Sequence, residues 1–256
     1  MPSNTPKHSK LINCPICSTK MNNRHDKLDI FNCSKCDHIY IDYLEDANEY
    51  HRSLYRKNAG GHGTRGSGEI DENNKFTQIF HSRREDICKN RCNYIAPLIK
   101  DCNNLLDIGA GGGTFLRHVS KKFPNIELEG QEISTLCIKN LKEDGFIIYE
   151  GDFNTINFSK SYDLVTCWHV LEHIKDVKLF AQQVSKITNK YLFIEIPGNK
   201  GSRWTPWSPI TKPPFDGHHH YFSKSSVWLL FRDYFSSIEY ATPIQGKHSL
   251  SFYLTK

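Results

Sequence analysis

The segment from Asn104 to Thr114, NLLDIGAGGGT, constrains this chain more than any other. Its first half is an apolar run broken only by Asp107, which reads as a strand buried on both faces. Four of the next five residues are glycine. Glycines there allow a tight turn with positive φ and let the main chain approach a ligand closely as the next helix opens. A buried strand running through such a turn into a helix is a unit of a sheet flanked by helices. Taken alone, the turn fits NAD as well as other adenosine-bearing cofactors.

The segments after it repeat the pattern. TFLRHVSKKF reads as a helix, IELEGQEI as a strand, STLCIKNLKED as a helix and FIIYEGD as a strand. YDLVTCWHV is a second buried run, followed by the helical DVKLFAQQVSKI and the strand YLFIEIP. A helix near SKSSVWLLFRDYF and two strands, SIEYATPI and HSLSFYLT, close the chain. The expectation is an α/β fold with a mostly parallel sheet, helices on both faces and an antiparallel edge. Residues 71–100 form a leading helix with Phe76, Ile79, Phe80, Ile87 and Ile95 as its apolar positions.

In front of this core, residues 1–45 read as a metal module. Cys14 and Cys17, then Cys33 and Cys36, give two C-x2-C knuckles with fifteen residues between them. Two knuckles aim four thiolates at one point, a tetrahedron suited to Zn²⁺. With sulfur at every position no coordination site stays open, so the expected zinc is structural, replacing a core that so short a segment cannot build. Cys88, Cys92, Cys102, Cys137 and Cys167 are scattered and read as small buried hydrophobes. Between the module and the core, residues 46–70 carry Tyr50, Tyr55 and the run AGGHGTRGSG, a linker or a lid. Residues 71–256 form the main domain.

The turn D-x-G-x-G-x-G from Asp107 to Gly113 resembles motif I of class I S-adenosylmethionine-dependent methyltransferases, whose fold is Rossmann-like. YDLVTCWHVLEHIKD resembles the family's "fDlV…hvLEHi.d" block. GHHHYFSKSSVWLLF resembles its "EHLxxFS" segment, with Gly217 in place of the usual acid. The resemblance covers nearly all of residues 100–256, and a cysteine ribbon is a frequent N-terminal extension in the small-molecule branch. It implies that S-adenosylmethionine is held by Asp107, Gly109, Ala110, Gly111 and Gly113 at the turn. It further implies Glu132 and Ile133 at the ribose, Asp152 and Phe153 at the adenine, and Trp168 nearby. Each acid also has a plain role open to it, as a cap or a turn former. Their succession at strand ends, where open α/β sheets bind ligands, favours the cofactor.

An oxygen acceptor needs a base, and His169, His173, His218 and His220 are the candidates, His218 first because it matches the histidine of the EH pair. On an extended segment His218 and His220 face one side and His219 the other. The expected reaction is O-methylation, ahead of N- or C-methylation, of a small molecule, such as a sugar or a nucleotide-linked precursor of a surface polysaccharide or secondary metabolite. Trp204, Trp207 and Phe215 are placed either to wall its pocket or to pack within a surface loop. The alternatives are an RNA methyltransferase that grips RNA with the zinc ribbon and a non-catalytic zinc-ribbon adaptor. A net charge of +5, from 33 basic and 28 acidic residues without a basic run, points away from nucleic acid. His169-Val170-Leu171-Glu172-His173 also spells the inverted zincin signature, but its first histidine ends an apolar strand instead of lying inside a helix. No apolar stretch reaches membrane-spanning length and the N-terminus lacks a secretory core, so the expected location is the cytoplasm. The oligomeric state is left open.

Overall fold

The computed structural model describes residues 11–23, 29–42, 75–198, 218–244 and 249–256. The expected linker or lid at 46–70 and the loop with Trp204, Trp207 and Phe215 lie outside the described residues, apart from which the expected elements form. The main sheet contains β5 (Asn104–Ile108), β6 (Glu127–Glu132), β7 (Ile147–Glu150), β8 (Tyr162–Trp168), β9 (Thr188–Pro197), β11 (Ser237–Ala241) and β12 (Ser249–Thr255), in the order β11-β12-β9-β8-β5-β6-β7. The five strands from β9 to β7 in that order run parallel, and β12 and β11 add the expected antiparallel edge.

Alternation along the central strands sorts their side chains into two layers. Leu105, Leu164, Trp168 and Phe193 face α1 (Lys75–Ile99), α2 (Thr114–Lys122) and α3 (Thr135–Glu143), packing on Ile95, Phe115, Leu116 and Leu141. Leu106, Ile108, Val165, Cys167 and Ile194 face α4 (Val177–Ile187) and α5 (Lys224–Phe231), packing on Phe180, Val184, Val227 and Phe231. Both faces of β8 are covered, so every one of its residues is buried and the strand reads as one apolar run. The helices start at polar caps. Ser134 accepts from the Cys137 amide, Asp176 from Leu179, and Ser223 forms a capping box with Ser226. No described helix is long and apolar enough to cross a membrane.

The cysteine module is a small antiparallel sheet of β1 (Leu11–Asn13), β2 (Lys20–Asn23), β3 (Ile30–Asn32) and β4 (Ile39–Ile41). Each knuckle closes on a residue with positive φ, Ser18 and Asp37, whose amides donate to the carbonyls of Cys14 and Cys33 at 2.9 Å. The sulfurs converge, with Cys14–Cys36 and Cys17–Cys36 at 3.6 Å and Cys17–Cys33 at 3.4 Å. Four thiolates about 2.3 Å from one tetrahedral ion stand roughly 3.7 Å apart, so the spacing suits one such ion.

The module does not stand apart from the core. A fifth strand, β10 (His220–Tyr221), comes from the far end of the chain and pairs antiparallel with β4, His220 opposite Tyr40 and Tyr221 opposite Ile39. Ser223 Oγ donates to the Cys36 carbonyl at 2.6 Å, and the buried rings of His38 and His220 meet at 3.0 Å between Nε2 and Nδ1. The sulfurs of Cys14, Cys33 and Cys36 and the side chains of Met21 and Phe31 belong to the same apolar cluster as Phe180 and Phe222. Burial drives His38 down to about 3, so both rings of the pair are neutral.

Because ribbon and core share a strand and a core, they should unfold together. Cys33→Ser should lower the melting temperature of the whole chain in one calorimetric transition, by roughly 6–12 °C for a loss of about 3 kcal/mol. Two separate transitions, with the second unshifted, would show an independent module.

Candidate active site

Two lips meet at the carboxyl ends of β5 and β8. The chain leaves β5 toward β6 and β7 but leaves β8 the other way, toward β9, so a crevice opens between them. The first lip is the turn Gly109–Gly113. Gly109, Gly111 and Gly113 all have positive φ. Gly113 caps α2 in the left-handed region with no side-chain bond, which leaves first-turn amides of α2 for a ligand. At Gly109 a Cβ would stand 2.3 Å from Val170 Cγ2, so the turn lies directly against the segment that leaves β8.

Polar side chains stitch this lip. Gln131 accepts from the Gly109 amide at 3.2 Å and donates to the Gly151 carbonyl at 2.5 Å. Glu132 is buried and accepts three amides, from Gly111 at 2.7 Å, Ile133 at 2.7 Å and Ser134 at 2.8 Å. Burial raises its pKa, against the pull of those amides. A carboxylate has about four acceptor positions, so a ribose diol would share Glu132 with the loop instead of taking it alone. Asp107 is 2% exposed, accepts from Thr166 Oγ1 at 2.7 Å and is pushed up to about 7, by burial above all and against the Thr166 bond. Asp152 caps the 3₁₀ turn Phe153–Thr155 through the Asn154 amide at 3.0 Å.

The second lip is a cluster of imidazoles around a buried carboxylate. His169 ends β8 with φ 56°, and the 3₁₀ turn Leu171–His173 presents Glu172 and His173. Glu172 is fully buried. His169 Nδ1 stands 3.3 Å and His218 Nε2 3.9 Å from its Oε1, and the rings of His173 and His218 meet edge to face at 4.6 Å. Behind His169 lies Glu195, 3.5 Å from Nε2, which accepts from the Ile244 amide and from Ser251 Oγ, each at 2.8 Å, and pairs with Arg91 at 3.4 Å. Burial alone would raise both acids, but contact with His169 outweighs it and holds each at about 2. Arg91 also lies over the Trp168 ring at 4.7 Å.

The structure brings His169, His173 and His218 together and places His220 elsewhere. The expected sharing of one side by His218 and His220 fails: β10 pairs with β4, so His220 turns into the ribbon interface against His38 while His218 stays by Glu172. Phe153 is 1% exposed and packs on Phe158 and Phe180, which leaves its main chain as the part that can meet a ligand. Ala110, Trp168 and Ile133 border the first lip, Ala110 and Trp168 buried and Ile133 half-buried. Sequence reasoning missed Gln131, Glu195 and Arg91. A glutamate inside the apolar run YLFIEIP was a readable signal for Glu195; an arginine in a polar helix carried none.

A family model described as a methyltransferase domain matches residues 79–234. Pavine N-methyltransferase of Thalictrum flavum subsp. glaucum is 29% identical over 171 residues, 60% of this chain and 47% of that protein. (S)-tetrahydroprotoberberine N-methyltransferase of Eschscholzia californica is 24% identical over 127 residues, 45% of this chain and 33% of that protein. The chain spans about half the length of the first of these relatives. Among solved structures, magnesium protoporphyrin IX methyltransferase of Synechocystis PCC 6803 with bound S-adenosylhomocysteine superposes with a TM-score of 0.60, covering 81% of this chain and 99% of that one at 12% identity. Streptomyces venezuelae DesVI gives a TM-score of 0.56, 73% and 98% coverage and 14% identity. These likenesses show the fold.

The geometry of the first lip yields two expectations. Gly109→Ala should destabilise the protein by about 2–4 kcal/mol, from left-handed strain plus the clash with Val170. Val170→Ala should recover part of that in the double variant, a coupling that chemical denaturation measures. Asp107 has its folded pKa raised above the unfolded value of about 3.9. Its contribution is therefore complete below about pH 4 and is lost as pH rises through about 7. Melting curves of the cofactor-free protein should show Asp107→Asn gaining on the parent between pH 5 and pH 8, by about 2–3 kcal/mol.

Proposed function

We propose that this chain, which belongs to the methyltransferase-domain family whose model spans residues 79–234, transfers the methyl group of S-adenosylmethionine to a heteroatom of a small organic molecule. One observation carries the reading. The glycine turn, the uncapped start of α2 and Glu132 sit on one lip, and the cluster around Glu172 on the other, of one crevice at the switch point of the sheet.

The cofactor supplies a methyl group made electrophilic by its sulfonium. The α2 amides and Gly109–Gly113 fit the polar end of such a ligand, and Glu132 and Asp152 fit its ribose and adenine. The chain's further work is alignment and exclusion of water. His169, Glu172, His173 and His218 form the acceptor side and orient the heteroatom; His220 is a packing residue. The relatives named as N-methyltransferases support nitrogen as the methylated atom over the sugar hydroxyl that the sequence reading put first. The four cysteines hold a structural Zn²⁺, supported by their convergence and by knuckles that leave no fifth ligand to add.

Tritiated methyl transfer into a cell extract, separated into small-molecule, RNA and protein fractions, tests the acceptor class. Label is expected in the small-molecule fraction, on nitrogen, where mass spectrometry locates it. Label on oxygen there would restore the hydroxyl reading, and label in RNA would overturn the small-molecule assignment. Glu132→Ala should weaken S-adenosylhomocysteine binding about tenfold or more by calorimetry, since hydrogen bonds to a charged group are worth roughly 1.5–3 kcal/mol. Unchanged affinity would remove Glu132 from the site.

A further inference from the structure

The H-x-x-E-H run is no protease signature, because His169 directly follows strand β8 instead of lying inside a helix. The fold nevertheless gives the residues of that run a common destination, joined by a residue from forty-five positions beyond the motif, His218. Ligand atoms of Glu172, His173 and His218 all lie within 4.8 Å of one another. Glu172 is 0% exposed, and neither of its carboxylate oxygens accepts a hydrogen bond. His169 approaches at 3.3 Å off the line such a bond needs. A buried carboxylate left in that state costs several kcal/mol unless something else compensates its charge. His218 Nε2, at 3.9 Å, stands farther from the carboxylate than a hydrogen-bond partner. Ligands about 2.0–2.2 Å from one ion stand roughly 3–4 Å apart, so a small contraction would bring the set onto a single cation.

We infer that Glu172, His173 and His218 form a divalent-cation site on the acceptor lip, distinct from the four-cysteine centre. Two imidazoles and one carboxylate suit first-row transition ions such as Zn²⁺, Mn²⁺ or Co²⁺ better than Mg²⁺. Three protein ligands leave coordination positions open, unlike the closed sulfur site. His169 is a positioning residue here. It bridges Glu172 and Glu195, and Glu195 is itself fixed by Arg91, Ile244 and Ser251, an outer carboxylate–histidine arrangement of the kind that orients metal ligands. The segment 169–173 touches Gly109 through Val170, which places the ion next to the glycine lip.

The inference rests on the methyltransferase reading for its consequence. It narrows the acceptor to molecules that offer an oxygen, hydroxyl or carboxylate, at or beside the methylated atom. Such an oxygen fills the open position and fixes the acceptor against the methyl group. The heteroatom–carbon bond then forms as the sulfur–carbon bond breaks, S-adenosylhomocysteine leaves, and the acceptor's proton passes to water.

The test is a Mn²⁺ titration of the full chain with its cysteine site zinc-loaded, free Mn²⁺ being read by electron paramagnetic resonance. One Mn²⁺ per chain is expected, with imidazole nitrogen couplings in the echo-modulation spectrum. Glu172→Gln and His218→Ala should each weaken it about tenfold or more, while Lys139→Ala on the far helix α3 leaves it unchanged. His218→Ala, at a half-buried position, guards against a Glu172 variant that fails to fold. Absence of binding by the parent chain, or equal binding by both ligand variants, overturns the site. S-adenosylhomocysteine binding, measured in parallel with and without a chelator, separates the two readings. Retained nucleoside binding without Mn²⁺ binding sinks the cation site alone, and Mn²⁺ binding without nucleoside binding keeps the site while removing the methyltransferase role.

Discussion

Strands β5 and β8 lie side by side and parallel at the centre of the sheet, and their connections leave in opposite directions. Crossovers between parallel strands are right-handed, so opposite directions put α2 and α3 on one face and α4 on the other. The two following segments must then part above the sheet edge. They part around a single close contact, Gly109 against Val170, where even one carbon would not fit. The whole site depends on that approach. It sets the amides of the glycine turn and the carboxylate of Glu172 on adjoining lips, and it explains why glycine with positive φ stands at the first position of the turn.

Four buried acids gather at these strand ends, and their surroundings give them different tasks. Glu132 is held by three amides and acts as a clasp between the turn and α3. Glu195 is held by an amide, a hydroxyl and Arg91, a support for His169. Asp107 has one hydroxyl partner and burial raises it, so it is the acid most readily neutralised near pH 7. Glu172 has imidazole neighbours but accepts no hydrogen bond. Low local dielectric makes each of these arrangements consequential, and the least satisfied of them lies where chemistry is expected.

The cysteine ribbon takes on a second meaning in this frame. Residues 218–223 run from the second lip into the ribbon: His218 faces Glu172, the His219 carbonyl accepts from the Ile41 amide, His220 meets His38, and Ser223 holds Cys36. The sheet that carries the four cysteines therefore anchors the backbone that carries His218. The ribbon is part of the architecture that positions His218 beside Glu172.

Local pattern was enough for the sequence to declare its elements, because a buried strand, an amphipathic helix and a glycine turn each leave a short-range signature. The succession of strands and helices along the chain, the antiparallel edge, the cysteine knuckles and the glycine turn were legible on that basis. So was the candidacy of His169, His173 and His218. Long-range pairing leaves no such signature. Two residues of β10 are too short to show a period, and nothing in HHHYF says that β4, nearly 180 positions earlier, is its partner. Only the tertiary structure could separate His218 from His220, gather Glu195 and Arg91 behind His169, and strip Glu172 of hydrogen bonds. Those are facts about which surfaces meet, and packing decides them.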